Sequence, residues 1–479
     1  MSTPLDDAAL QEMLARAFPG RRATLDRHVR LSAGASRLTV ALDATVEGRP
    51  ERLILQIDAD TPASPDGEAT ATPRFLGVAG QAAVLQRAAA AGAPVPPVVW
   101  ADPSGDVLAA PALLSARIDG ETLPRRILRD PALAGARARF AADCGRILAA
   151  VHRAEVDGLD LPAPDPLDAL RRSLDETGEP RPAFELAYAW LVEHRPAPGA
   201  VALVHGDFRL GNLIVGPDGV RAVLDWELAH LGDPLEDLGW LCSIAWRFGE
   251  ALPVGGMGQR DELYAAYQAA GGDPVDPAAA RWWETFAALS WGVICMRQAR
   301  RHLSGASRSM ELAAIGRRVC ESEWDLLGLL PSPASTPDPG RRPRPAPTAQ
   351  PDPAAQPDPT GGLHGRPTAG ELLDAVAEWL EGDIGPRVGE EHRFHVRVAT
   401  NVLRTVVREL ALGPSQSAAN DARLAALGYP DDAALASAIR SGALEPGKDA
   451  QVRAAIETEV TDRLAVANPR YLEQRAPSA

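Results

Sequence analysis

The apolar positions change period several times along the chain. Residues 6–17 read as a short amphipathic helix, and 38–45 and 52–57 as neighbouring strands joined by the turn Glu47-Gly48-Arg49-Pro50. Residues 80–91 are helical by composition, and 95–101 and 111–118 are strand-like. From Pro131 onward the pattern turns helical, as in 140–152. Short β segments at 201–204, 213–215 and 220–224 interrupt it, and helices resume through Leu330. This order predicts an α+β fold, with a small mixed β/α lobe first and a mostly helical lobe after it.

Between 331 and 360, 11 of 30 residues are proline, and no large apolar residue appears before Leu363. Such a stretch cannot bury a core, so 331–366 is expected to be a disordered, extended linker. It divides the chain into residues 1–330 and a small all-α part, 367–479. Thr368 followed by Glu371 is a capping-box pattern. Leu372, Leu373, Val376, Trp379 and Leu380 then share one helical face, and residues from Phe394 to Leu410 repeat the spacing.

Composition narrows the function. The 49 basic and 64 acidic residues give a net charge of −15, which argues against a nucleic-acid partner. Four cysteines form no CxxC pair, so neither a disulfide framework nor a zinc knuckle is expected. Residues 1–7 carry no basic or apolar leader pattern, and no run of 18 apolar residues occurs. The expected compartment is the cytoplasm, with no membrane partner. Lysine is nearly absent, Lys448 being the only one.

Chemistry concentrates in Leu203-Val204-His205-Gly206-Asp207-Phe208-Arg209-Leu210-Gly211-Asn212, continuing to Asp225-Trp226-Glu227. Strand-like triplets bracket the loop on both sides. The pattern sets three oxygen-bearing side chains on one hairpin. Phosphoryl transfer needs a carboxylate to orient the attacking hydroxyl and accept its proton, and hard oxygen ligands for Mg²⁺. Asp207 fits the first role; Asn212 and Asp225 fit the second. The H-x-D-x-x-x-x-N spacing followed by an aspartate is the pattern of protein kinases. His205 is expected to order this loop, and Asp237 to hydrogen-bond backbone near it.

These residues resemble the aminoglycoside-phosphotransferase-like kinase family, with His-Gly-Asp in place of His-Arg-Asp. The segment 231–239 looks like that family's continuation. The chain is more similar still to the kinase-like part fused to some acyl-CoA dehydrogenases, through residues 31–36, 92–96, 118–120 and 205–212. The resemblance covers roughly 28–330, and 366–412 looks like a small helical domain appended to such kinases. It implies a bilobal kinase-like fold, ATP and Mg²⁺ as cofactors, and a small-molecule acceptor carrying a hydroxyl, such as a hydroxyacyl-CoA or hydroxy acid. Gly34 and Ser36 stand where a phosphate-covering loop would lie.

One departure is plain. Kinases place a lysine on the third strand, paired with a helix glutamate, against the nucleotide phosphates. Here Gln56 stands at the lysine position, as a cofactor-binding candidate, and Gln81 at the glutamate position. Arg37 or Arg52 could supply the missing charge. Two readings follow: an ATP-dependent phosphotransferase, or a catalytically weak or inactive nucleotide-binding scaffold. The C-terminal helices are expected to serve a protein partner.

Overall fold

The computed structural model describes residues 6–33, 37–58, 76–331 and 367–474. Almost all of the predicted linker lies outside them. The chain opens with α1 (Asp7–Ala17), β1 (Ala23–Ala33), β2 (Arg37–Val46) and β3 (Arg49–Asp58). Helix α2 (Val78–Ala90), β4 (Val98–Asp102) and β5 (Ala112–Ala116) follow. Next come α3 (Pro124–Arg129), α4 (Ala134–His152), α5 (Pro166–Thr177) and α6 (Pro182–Glu193). Four short strands interrupt: β6 (Ala202–Val204), β7 (Leu213–Gly216), β8 (Gly219–Val223) and β9 (His230–Gly232). Helices then dominate: α7 (Leu235–Cys242), α8 (Arg260–Ala269), α9 (Pro277–Leu303), α10 (Met310–Ile315) and α11 (Val319–Leu329). The C-terminal helical region holds α12 (Ala369–Trp379), α13 (Glu390–Leu427), α14 (Asp432–Ser441), α15 (Asp449–Ala467) and α16 (Pro469–Gln474). The chain forms two compact units, 1–169 with 196–287, and 170–195 with 288–479.

In the first unit, β1 to β5 form one antiparallel sheet in the order β1-β2-β3-β5-β4. Alternation decides its two faces. Val40, Leu42, Ala44 and Val46 of β2 and Leu53, Leu55 and Ile57 of β3 bury themselves with Leu10, Met13 and Leu14 of α1. The opposite face carries Arg37, Thr39, Gln56 and Asp58, because Arg37 lies opposite Asp58 and Thr39 opposite Gln56. Strand β1 is absent from the sequence reading. It is an edge strand with two register shifts, and Val29 and Leu31 stay 40 % and 52 % exposed, so it shows no clean apolar alternation.

Helix α4 runs through the helical core and packs Phe140, Cys144, Leu148 and Val151 among buried residues of α2, α7 and α8. Gly145 permits the close approach of α8. A Cβ there would sit 2.5 Å from the Leu263 oxygen and 2.8 Å from the Tyr267 nitrogen. Gly145→Ala should therefore lower stability by about 1–3 kcal/mol, even after the modest helix-propensity gain of alanine. Denaturant unfolding checks this; an unchanged midpoint would contradict the close packing. All four cysteines are free and buried, and burial pushes the Cys242 thiol up to about 12.

In the second unit, Ala183, Trp324 and Leu327 share a core with Leu435, Ile439, Val452, Ile456 and Val460. Glu185 receives Arg171 Nη1 at 2.9 Å and Arg440 Nη2 at 2.7 Å, tying α6 to α5 and α14. The expected capping box forms: Glu371 Oε2 accepts the Thr368 N–H at 2.7 Å, and Thr368 Oγ1 accepts the Glu371 N–H at 3.3 Å. Leu372, Val376 and Trp379 share a face of α12, and all three are exposed. Among the described residues no helix is long and apolar enough to cross a membrane.

Candidate active site

Two loops of the first unit meet on a pair of short ladders. Strand β6 pairs with β9 and β7 pairs with β8, so the loop 205–212 and the segment 224–229 start and end side by side. Cross-links fix them. The Leu224 N–H donates to the Asn212 oxygen at 2.8 Å, and His205 Nε2 donates to the Leu224 oxygen at 2.9 Å. His205 Nδ1 accepts the Asp207 N–H at 3.1 Å, so the ring proton sits on Nε2. Histidine here is a loop strut.

Gly206 has φ of +79°, and a Cβ would lie 2.7 Å from the Leu228 oxygen. The second position of His-Gly-Asp therefore has room for no side chain. Below the loop, Asp237 is fully buried and accepts the backbone N–H groups of His205 at 2.8 Å and Gly206 at 3.0 Å. His152 Nε2 lies 3.1 Å away, and Tyr267 Oη lies 2.9 Å from His152 Nδ1. Burial alone pushes the Asp237 carboxyl up. The hydrogen bond and charge of His152, with the backbone N–H of His205, outweigh it and hold the carboxyl below its ordinary range.

Asp207 is held by three donors. Its Oδ1 accepts Arg209 Nε at 2.9 Å and Trp240 Nε1 at 2.8 Å, and its Oδ2 accepts Asn212 Nδ2 at 2.6 Å. Oδ2 thus keeps a lone pair. Arg209 also lies over Trp246, 4.5 Å from its ring centre. Because Asn212 turns its nitrogen to Asp207, its amide oxygen is left for other use. Asp225 is exposed and left-handed, with φ of 62° and ψ of 65°. Such a conformation persists only where surroundings impose it. Here the next residue does so: Trp226 is buried, donates Nε1 to the Val223 oxygen at 3.1 Å, and tilts against His205 with ring centres 4.6 Å apart. The Asp225 carboxylate accepts no hydrogen bond among the described residues.

The structure thus brings Asp207, Asn212 and Asp225 together. Gln56 sits half-buried on the sheet face opposite α1. Gly34 and Ser36 lie outside the described residues. Gln81 does not bond Gln56; its Oε1 accepts Arg37 Nη1 at 2.8 Å, and its Nε2 donates to the Leu76 oxygen. Arg52 instead pairs with Asp119 at 2.8 Å. Glu227 is the carboxylate that sequence reasoning passed over as a site residue. It lies 3.6 Å from Arg37, and burial, with the nearby charges of Asp225 and Asp207, pushes its carboxyl up against the pull of Arg37. Its place two residues after Asp225 was the available signal. Trp240 and Trp246 had none, being 33 and 39 positions beyond Asp207.

A small antiparallel sheet, a His-Gly-Asp loop braced from below and an aspartate on the following turn define a kinase-like phosphotransferase fold. The chain belongs to the phosphotransferase enzyme family, whose model matches residues 27–283. Residues 386–471 match a family described as a domain of unknown function, DUF6285. Acyl-CoA dehydrogenase family member 10 of Mus musculus is 32 % identical over 186 residues, which cover 36 % of this chain and 17 % of that protein. Member 11 of Mus musculus is 34 % identical over 144 residues, covering 27 % and 18 %. The chain therefore spans less than a fifth of the length of these relatives. A solved structure from Ralstonia eutropha, assigned as an aminoglycoside phosphotransferase, shares the fold with a TM-score of 0.52 at 21 % identity. That match covers 66 % of this chain and 96 % of the other.

Proposed function

We propose that this chain transfers the γ-phosphoryl group of ATP to the hydroxyl of a small molecule. The observation that carries this is the 2.6 Å contact of Asn212 Nδ2 with Asp207 Oδ2, with Asp225 on the adjoining loop. Asp207 Oδ2, with its remaining lone pair, orients the acceptor hydroxyl and accepts its proton. Arg209, Trp240 and Asn212 keep the carboxylate from rotating away. Asn212 and Asp225 hold Mg²⁺. Their donor set fits that ion, with an amide oxygen and a carboxylate free of hydrogen bonds among the described residues. No cluster of three His, Cys, Asp or Glu side chains forms a complete cage among those residues. Mg²⁺ favours such sites, keeping water and phosphate oxygens as its other ligands, and when bound it supplies charge against the phosphates.

The similarity to acyl-CoA dehydrogenase family members supports a hydroxyacyl-CoA or related hydroxy acid as acceptor. The C-terminal helices, with the exposed face of α12, would then serve a protein partner. A competing reading is a nucleotide-binding scaffold, favoured by the neutral Gln56 and Gln81. ADP release from Mg·ATP, with pooled hydroxyacyl-CoAs, hydroxy acids or aminoglycosides, separates them. The expected result is acceptor-stimulated release that EDTA abolishes. Bound Mg·ATP with no stimulation in any pool would favour the scaffold.

A further inference from the structure

We infer that Arg37, on β2, is the cation that meets the nucleotide phosphates, standing in for the lysine that β3 lacks. The inference rests on the kinase reading above. The chain has no lysine before Lys448, so the charge must come from an arginine. Arg37 and Thr39 share a sheet face with Asp58 and Gln56, and Thr39 lies opposite Gln56. Arg37 is therefore the diagonal neighbour of the usual lysine position, within about 7–8 Å across the ladder. A long side chain spans that gap.

The guanidinium reaches Gln81, the residue at the position of the glutamate that pairs with that lysine. Nε donates to Asp58 Oδ1 at 2.8 Å, Nη1 to Gln81 Oε1 at 2.8 Å, and Nη2 to the Leu76 oxygen at 3.3 Å. Glu227 Oε2 stands 3.6 Å from Nη1, and Glu227 is within electrostatic reach of Asp225 and Asp207. One cation thus joins the sheet, helix α2 and the turn that carries Asp225. Its side chain is only 12 % exposed, so the charge is little screened.

Arg37 also accounts for both glutamines. The guanidinium already faces two carboxylates, Asp58 and Glu227. A glutamate at 81 would crowd a third against it, whereas Gln81 accepts the hydrogen bond without adding charge. A lysine at 56 would set a second cation beside the first. An arginine has five N–H donors, and three are bonded, leaving two without a hydrogen bond among the described residues. Glu227 at 3.6 Å is an ion-pair contact rather than a hydrogen bond, so those two N–H groups remain available to a phosphate oxygen. Arg52 is not equivalent, because it is engaged with Asp119 and sits opposite Asp43, three same-face pairs beyond the Arg37–Asp58 pair.

The test is equilibrium binding of Mg·ATP to the full chain, read by displacement of a fluorescent ATP analogue, with adenosine as a phosphate-free probe. Arg37→Gln should weaken Mg·ATP about 10–100-fold and leave adenosine within about threefold. Arg37→Lys, which keeps the charge, should lose less. Adding Gln56→Lys to Arg37→Gln should restore at least about tenfold, and Arg52→Gln should bind as wild type. ATP affinity of Arg37→Gln within threefold of wild type would overturn the inference. So would equal losses in the Lys and Gln variants, a parallel loss of adenosine, or an equal effect of Arg52→Gln. A wild-type chain that binds no Mg·ATP would overturn the kinase reading itself.

Discussion

Asp207→Asn should lower acceptor-dependent ADP release by about 10³-fold while Mg·ATP affinity stays within about threefold. The substitution keeps size and removes the ability to accept a proton. Its local cost follows from the donor pattern. If the new amide oxygen stays at the Oδ1 position, it keeps Arg209 Nε and Trp240 Nε1, at 2.9 and 2.8 Å. Its nitrogen then points at Asn212 Nδ2, which the carboxylate meets at 2.6 Å, and two donors collide. If the amide flips, Asn212 is satisfied but Arg209 and Trp240 lose their acceptor. One contact breaks in the first orientation and two in the second, so Tm should fall by a few degrees without loss of the fold. Steady-state turnover and a thermal melt on the same sample separate the effects. Unchanged turnover would remove Asp207 from the role of base, and unfolding would leave its role to Asp207→Glu.

The legible part of this site is what one hairpin carries. Asp207, Asn212 and Asp225 lie within 19 consecutive residues. Strand–loop–strand patterning sufficed to put them together, because short ladders leave little freedom in where the loops go. The braces were partly legible. Asp237 could be named as a backbone acceptor, but not its partner His152, 85 positions away. Arg37 and Gln81 are 44 positions apart, joined through a register between β2 and β3 and the docking of α2. Neither distance is written in local periodicity. Strand β1 shows the same limit from another side. Its outward residues stay wet, so Val29 and Leu31 give no core signal, and only pairing with β2 makes it a strand. In the C-terminal region, apolar faces were visible. Which of them would be buried depended on helices α6 and α11, far back in the chain.

Asp237→Ala should be the most damaging single change outside the reacting groups. The fully buried carboxylate accepts from two consecutive backbone N–H groups, that of His205 buried and that of Gly206 partly so, and faces the buried His152 side chain. Removing it leaves three donors with no acceptor, a loss of about 3–5 kcal/mol. The damage should also reach turnover, because His205 and Gly206 set the position of Asp207 at the next residue. A misplaced base costs on the order of 10²-fold. Asp237→Asn keeps one acceptor oxygen and should lose less of both. The pH dependence gives an independent signature. The folded Asp237 carboxyl titrates below its ordinary range, so its stabilisation is fully present above that range, near pH 4. It is lost as pH falls through the depressed folded value. Acid unfolding of the wild type should therefore include this loss, and Asp237→Ala should be less stable at pH 7 yet converge toward the wild type below pH 4. Denaturant midpoints across pH 2 to 7 would show it. Parallel curves over that range would mean that the Asp237 charge is not what holds the loop.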